Sequence, residues 1–196
     1  PDSALCRATT EYARSVSDPF LFNHVMRSFV FAELCGRPTG RTYDRELLYV
    51  ACVLHDLGLT SVAPAAERFE IEGADAARLF LSRQGMSDRA LDIVWDAIAL
   101  HTTMAIPQRK CPEIALCQLG IAVDVGVAPF DVTGVLPEIV AAFPRLDFKR
   151  ALVDALAGLY RRNPAAAASA AVEDACERRV PGFHRFHLCD ALAATH

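Results

Sequence analysis

Apolar residues recur along the chain every three to four positions, and period-2 alternation is nowhere sustained, so the pattern predicts helices and no sheet. Residues 4–17 carry the first such pattern. Asp18-Pro19 marks the next start, with Asp as N-cap and Pro in the first helical position. This second helix, about Phe20 to Cys35, ends at Gly36-Arg37-Pro38. Asp44 caps a third, whose body is the apolar run Leu47–Leu54 and whose expected stop is Gly58. Residues 59–71 read as loop, then helices are expected over Ala74–Arg83 and, from a Ser87 cap, to about His101. Pro112 to Val125, Pro137–Phe143, Asp147–Arg162 and the Ala-rich Pro164–Arg179 complete the set, and the tail beyond Pro181-Gly182 carries no clear signal. The expectation is an all-α fold of about 8–10 helices in one domain over 1–196, with a core at 19–160 and a helical extension at 161–196.

The informative residues are the polar ones inside the most apolar stretches. Leu47–Leu54 is apolar on every side, as a core helix is, and runs straight into His55-Asp56. A carboxylate there is costly to bury unless a cation neutralises it, and no Lys or Arg follows Arg45 within the stretch. A His at a helix C-terminus interacts favourably with the helix dipole, but an Asp has the wrong sign for that end. Asp124 poses the same problem in Leu119–Ala128: it is either a buried hydrogen-bonder, a helix-end exposure or a ligand. His24 stands in the apolar helix 20–35, where a lone His is usually a satisfied core residue, but Asn23 and Arg27 beside it suggest a polar cavity. One metal shared by two imidazoles and two carboxylates accounts for all four residues together. Such a set suits Zn, Fe(II), Mn or Co, with Ni a further candidate, and leaves positions for water or substrate.

His24, then His55-Asp56, then Asp124, in that order and on helices, resembles the H…HD…D pattern of the HD-domain metalloprotein superfamily. Longer stretches are similar to one branch, the cyanamide hydratases: Asn23–Ser28, Leu47–Asp56, Arg68-Phe69-Glu70 with Gly73, Ala97–His101, Ile121–Gly126 and Phe143–Leu146. The similarity runs over about residues 5–160. It implies a single HD domain with the metal site in its core, one zinc held by His24, His55, Asp56 and Asp124, and hydration of the cyanamide triple bond to urea. A bound divalent ion lowers the pKa of water to about 7, and Asp56 is placed to accept the water proton. His101 is the candidate for proton handling or substrate contact, with a second-metal ligand and a helix-end His as the other readings. Asn23, Arg27, Phe69 and Glu70 are expected to orient or to line the pocket.

One departure weighs against the superfamily's other chemistry. Many HD phosphohydrolases carry an acidic residue three positions after the Asp, where this chain has Leu59. Cations for gripping phosphate are also sparse, with Arg27 and Arg68 the main ones. The alternative function, a phosphohydrolase acting on a nucleotide or phosphomonoester, therefore stands second. A regulatory HD protein that keeps its metal without turnover stands third. In the tail, His184, His187 and Cys189 have ligand-like spacing, but such patterns are more often surface features. Cys52 has no evident base and reads as core.

Composition changes this picture little. Of 196 residues 53% are apolar and 22% charged, a globular balance, and the net charge of −4 without a basic cluster argues against nucleic acid or an anionic membrane as partner. No apolar run approaches the roughly 20 residues of a membrane helix. The seven cysteines are scattered without a CxxC, so a reduced, cytoplasmic protein is expected, with a small-molecule substrate. The apolar Ala-rich C-terminal third could also pack against a second subunit in a homodimer.

Overall fold

In the computed structural model, the polar residue that starts the central helix acts as the pattern requires. The Asp44 side chain accepts from the backbone N–H groups of Glu46 (2.9 Å) and Leu47 (3.1 Å), satisfying two donors that the first turn of α3 (Arg45–Leu54) leaves free. From Leu48 to Leu54 every residue of α3 is buried. Around it lie α1 (Ala4–Val16), α2 (Pro19–Gly36), α4 (Phe69–Arg83), α5 (Asp88–Ala99) and α6 (Pro112–Asp124). These helices share one apolar core with α3. The structure describes residues 1–164, 169–187 and 189, and among them there is no strand and no helix long and apolar enough to cross a membrane.

The chain then adds α7 (Leu136–Ala142), α8 (Phe148–Arg162) and α9 (Ala170–Arg179). The last two pack on each other through a smaller apolar cluster of Leu156, Ala157, Leu159, Val172, Ala175 and Cys176, which also takes in Phe69 from α4. The extension is thereby joined to the wall of the main core. Of the helix expected at Pro164–Arg179, the described part begins at Ala170, and residues 165–168 lie outside the described residues.

Three expectations need correction. Asp18, Ser87 and Asp147 occupy N-cap positions, yet none of their side chains makes a capping bond; Asp147 pairs with Arg150 instead. Helix α3 stops at Leu54 and not at Gly58, so His55 and Asp56 form the turn just beyond it, followed by a 3-10 turn at Leu57–Leu59. Helix α4 begins at Phe69, five residues before the expected start, which places Phe69 and Glu70 in its first turn. Gly73 lowers local helix propensity and made this stretch read as loop. The fold needs a glycine there, because a Cβ on Gly73 would lie 2.9 Å from the Gly58 backbone nitrogen. A Cβ on Gly58 would in turn meet the Phe69 carbonyl oxygen at 1.9 Å. The two glycines let the turn carrying His55 and Asp56 seat directly on the start of α4.

The same device brings α2 against α6. A Cβ on Gly120 would fall 2.3 Å from the Ser28 carbonyl oxygen and 2.6 Å from the Ala32 nitrogen, so the two backbones touch where α2 carries His24 and α6 leads to Asp124. Neither backbone can yield as a flexible side-chain tip would. Gly120→Ala is therefore expected to cost about 3 kcal/mol by overpacking, read as a lower urea midpoint at unchanged slope. Gly134→Ala, where nothing lies within 4 Å of the added Cβ, is expected to leave the midpoint within about 0.5 kcal/mol of wild type.

Candidate metal centre

Helix α2 is buried nearly all round and presents His24 inward, 1% exposed. The turn after α3 presents His55 and Asp56, and the turn after α5 presents His101. The Nδ1 atoms of all three imidazoles face groups that can only accept: Asp124 Oδ2 at 2.7 Å for His24, the Cys52 carbonyl at 2.8 Å for His55 and the Ile98 carbonyl at 2.6 Å for His101. Each Nδ1 therefore carries a proton and donates it, and in the neutral ring the Nε2 lone pair is free.

Those Nε2 atoms converge. His24 and His55 Nε2 lie 3.2 Å apart, and each approaches Asp56 Oδ2, at 3.5 Å and 3.2 Å. From the other side His101 Nε2 lies 3.6 Å from Asp56 Oδ1. Among the described residues, His24, His55 and Asp56 form the one group of potential ligands whose donor atoms all fall within 4.8 Å of one another. A carboxylate and several lone pairs facing one another in a dry core lack only a positive charge, and a divalent cation fits this donor set.

Without metal, a proton takes that place. Burial works against charge on His55, but the Asp56 carboxylate and its hydrogen bond outweigh it and raise the imidazole pKa to about 9. Burial would likewise raise Asp56, yet the charge and hydrogen bond of His55, with His24 and His101 nearby, hold it well below the usual carboxylate range. His24 is shifted down, by burial first. His101 is pushed down to about 4, by burial and by His55, so it is neutral at physiological pH and its Nε2 is an acceptor.

Asp124 stands in a different place from the one expected of a fourth ligand. Arg27, itself fully buried, clamps it bidentately, Nε to Oδ1 and Nη2 to Oδ2, both at 2.8 Å. Arg145 Nη2 adds a contact to Oδ1 at 3.1 Å, and His24 Nδ1 takes Oδ2. Burial raises the carboxyl pKa, but His24 and Arg27 bring it down to about 2. The cation absent from the local sequence thus comes from α2 and from the loop before α8. Arg27 also donates to the Phe143 and Pro144 carbonyls, and Asn23 Nδ2 donates to Pro144 O at 2.8 Å. Of the two roles expected of these residues, orienting or lining the pocket, the geometry gives Arg27 the first, through Asp124 to His24, and neither residue is among the described lining residues.

Glu70 is fully buried and is not among the described cavity-lining residues. Its Oε1 accepts from Thr102 Oγ1 (2.6 Å), Ser169 Oγ (2.8 Å) and Arg68 Nη2 (3.1 Å), tying α4 to the turn of His101 and to the start of α9. Phe69 packs edge-on against His101, ring centroids 5.5 Å apart. His184, His187 and Cys189 are exposed and belong to no ligand group. Cys52 lies in the core, as expected.

Above the cluster opens a cavity of about 380 Å³. His24, His55, Asp56 and His101 form its polar end, and Leu59 and Phe69 begin an apolar wall that α6 and α8 continue. No Lys or Arg is among the described lining residues. Gln118, Thr102 and the aliphatic wall had no part in the sequence reading, although Gln118 gives the same signal as Asp124, a polar residue in an apolar stretch of α6. A larger groove of about 540 Å³ runs between α1 and α4, but it holds no histidine and none of the cluster.

A family model described as HD domain matches residues 21–125. Two curated proteins of Saccharomyces cerevisiae, cyanamide hydratase DDI2 and cyanamide hydratase DDI3, are each 29% identical over 106 residues, covering 52% of this chain and 47% of the relative. The matched part thus spans about half the length of these relatives.

The raised pKa of His55 fixes the sign of a stability test. The folded state holds the proton more tightly than an unfolded His of pKa about 6.5, so the stabilisation is complete below that pH and lost as pH rises through about 9. In chelator, the unfolding temperature is expected to fall between pH 6.5 and 9. A divalent metal replaces the proton and should flatten that fall, as thermal scans at fixed metal concentration would show.

Proposed function

The chain belongs to the HD domain family, a superfamily of metal-dependent hydrolases, and we propose that within it this protein hydrates a small nitrile such as cyanamide, giving urea. The observation that carries this reading is the cavity: imidazoles and one carboxylate at its end, aliphatic walls, and no Lys or Arg among the described lining residues. A phosphate ester would bring two negative charges beside Asp56 and find no guanidinium, since Arg27 is spent on Asp124 and Arg68 on Glu70. A neutral nitrile needs none. The relatives' activity and the apolar Leu59 facing the cavity point the same way.

His24, His55 and Asp56 would hold the ion, and Asp124 would fix the tautomer of His24 from behind, as carboxylates commonly do for metal-binding imidazoles. A divalent ion, zinc first in this reading, supplies acidified water at neutral pH. The remaining work falls to side chains. Asp56 and the neutral His101 Nε2 can accept the proton of the attacking water, and His101 can return it to the nitrile nitrogen as negative charge builds there. Its Nδ1–H bond to the Ile98 carbonyl and the Phe69 ring keep His101 aimed at that task. In the same reading residues 1–196 act as one unit, the extension closing the cavity that the core opens.

Metal-loaded protein is expected to release urea from cyanamide and to leave p-nitrophenyl phosphate intact; cleavage of the ester without urea would reject this function. His55→Ala should lose metal. Asp124→Asn should weaken metal binding by only about 10–100-fold, and a loss as complete as that of His55→Ala would make Asp124 a ligand. His101→Ala should keep its metal, measured by atomic emission, while kcat falls about 10²–10⁴-fold.

A further inference from the structure

Cyanamide has three heavy atoms, and the cavity is far larger than such a molecule needs. At about 380 Å³ it lies within the roughly 300–1,000 Å³ range of pockets that enclose whole organic ligands. Its polarity is also segregated. The titratable cluster occupies one end, while Ile121 and Ala122 from α6, Val125 just beyond it, and Leu152 and Leu156 from α8 face the remaining space. A three-atom substrate would leave this aliphatic wall against water, which gains nothing from the contact. The one charged lining residue beyond the cluster, among those described, is Asp174 of α9, which argues against an anionic substituent.

We infer that the cavity takes nitriles bearing a neutral apolar substituent, N-alkyl or N-aryl cyanamides as a class, with the nitrile at the His–Asp end and the substituent against α6 and α8. The inference rests on the hydration chemistry proposed above. Gln118 adds a polar anchor to the lining. It is 3% exposed, its Oε1 is taken by Gln108, and among the described residues its Nε2 meets the Met104 thioether at 3.8 Å. Sulfur is a weak acceptor, so this buried N–H group is available to a nitrile nitrogen or to the oxygen of the urea formed from it. The reaction balances without a further reactant. Water oxygen bonds to the nitrile carbon and ends as its carbonyl oxygen, both carbon–nitrogen π bonds break, both water protons end on the former nitrile nitrogen, and an N-substituted urea results.

Steady-state kinetics on metal-loaded protein with cyanamide and N-butylcyanamide test the inference, with the ureas resolved chromatographically. Each buried methylene contributes about fourfold, so kcat/KM for the butyl compound is expected to exceed that for cyanamide at least tenfold. Ala122→Phe and, at the more exposed end of the wall, Val125→Trp should each cut that ratio tenfold or more. A second readout avoids turnover: calorimetry should show N-butylurea binding at least tenfold more tightly than urea. Urea production from cyanamide with no preference for the butyl compound in either readout would overturn the substrate class and leave the hydration reading standing. No urea from either nitrile would overturn both.

Discussion

Everything at this site depends on where three imidazole protons point. His24, His55 and His101 each spend Nδ1–H on an acceptor outside the cluster, and each thereby turns an Nε2 lone pair toward the Asp56 carboxylate. Two of those acceptors are helix carbonyls, Cys52 O near the end of α3 and Ile98 O near the end of α5. Carbonyls of a last turn lack their usual helical partner and have a lone pair to spare, even where, as at Ile98, the His101 backbone N–H also donates to them at 3.3 Å. The ends of α3 and α5 thus orient two rings and satisfy their own backbone in the same contacts. The cluster that results concentrates electron pairs among almost fully buried side chains, an arrangement stable only around a cation or a proton.

Backbone contacts hold the rings at that spacing. The turn carrying His55 and Asp56 lies on the first turn of α4 through Gly58 and Gly73, and α2 meets α6 through Gly120. Side-chain packing alone tolerates shifts of a few tenths of an ångström, whereas backbone against backbone does not. Glu70 then carries the geometry outward. Its three donors come from α4, the His101 turn and the start of α9, so the extension cannot leave the cavity without stripping a buried carboxylate of a hydrogen bond.

The helices were legible because apolar spacing is a local property, and α1, α2, α6 and α8 lie within a residue or two of where that spacing puts them. The start of α4 was not, because the requirement that Gly73 answers lies in contact with Gly58, far from it in the chain. Among site residues, His24, His55 and Asp56 stood out as polar groups without a local reason in apolar surroundings. That test detects a buried polar residue but cannot name its partner. Asp124 gave the same signal as Asp56, yet one of its cations, Arg145, comes from a loop 21 residues later. Asn23 and Arg27 stand out by the same test, but spacing alone does not say whether they face the cavity or, as Arg27 does, the carboxylate behind His24. The aliphatic wall was invisible for a simpler reason: Leu152, Leu156 and Val125 look like any core residues until the fold leaves space beside them.

The two aspartates show how one core can hold opposite electrostatic solutions. Asp124 receives two guanidinium groups and an imidazole N–H, which engage both oxygens, and His24 and Arg27 bring its pKa down to about 2 against the effect of burial. Asp56 receives no arginine, only rings whose lone pairs repel it unless something positive intervenes. Had Arg27 been placed on Asp56 instead, the cluster would be a closed ion pair with no call for metal. Moving the fixed cations to Asp124 keeps His24 oriented while leaving Asp56 with an unmet demand for positive charge. The same allocation keeps arginine out of the described cavity lining, so an anion entering beside Asp56 would meet no guanidinium there. The unmet demand for a cation at Asp56 and the lack of arginine among the described lining residues therefore trace to one choice, the partner given to Arg27.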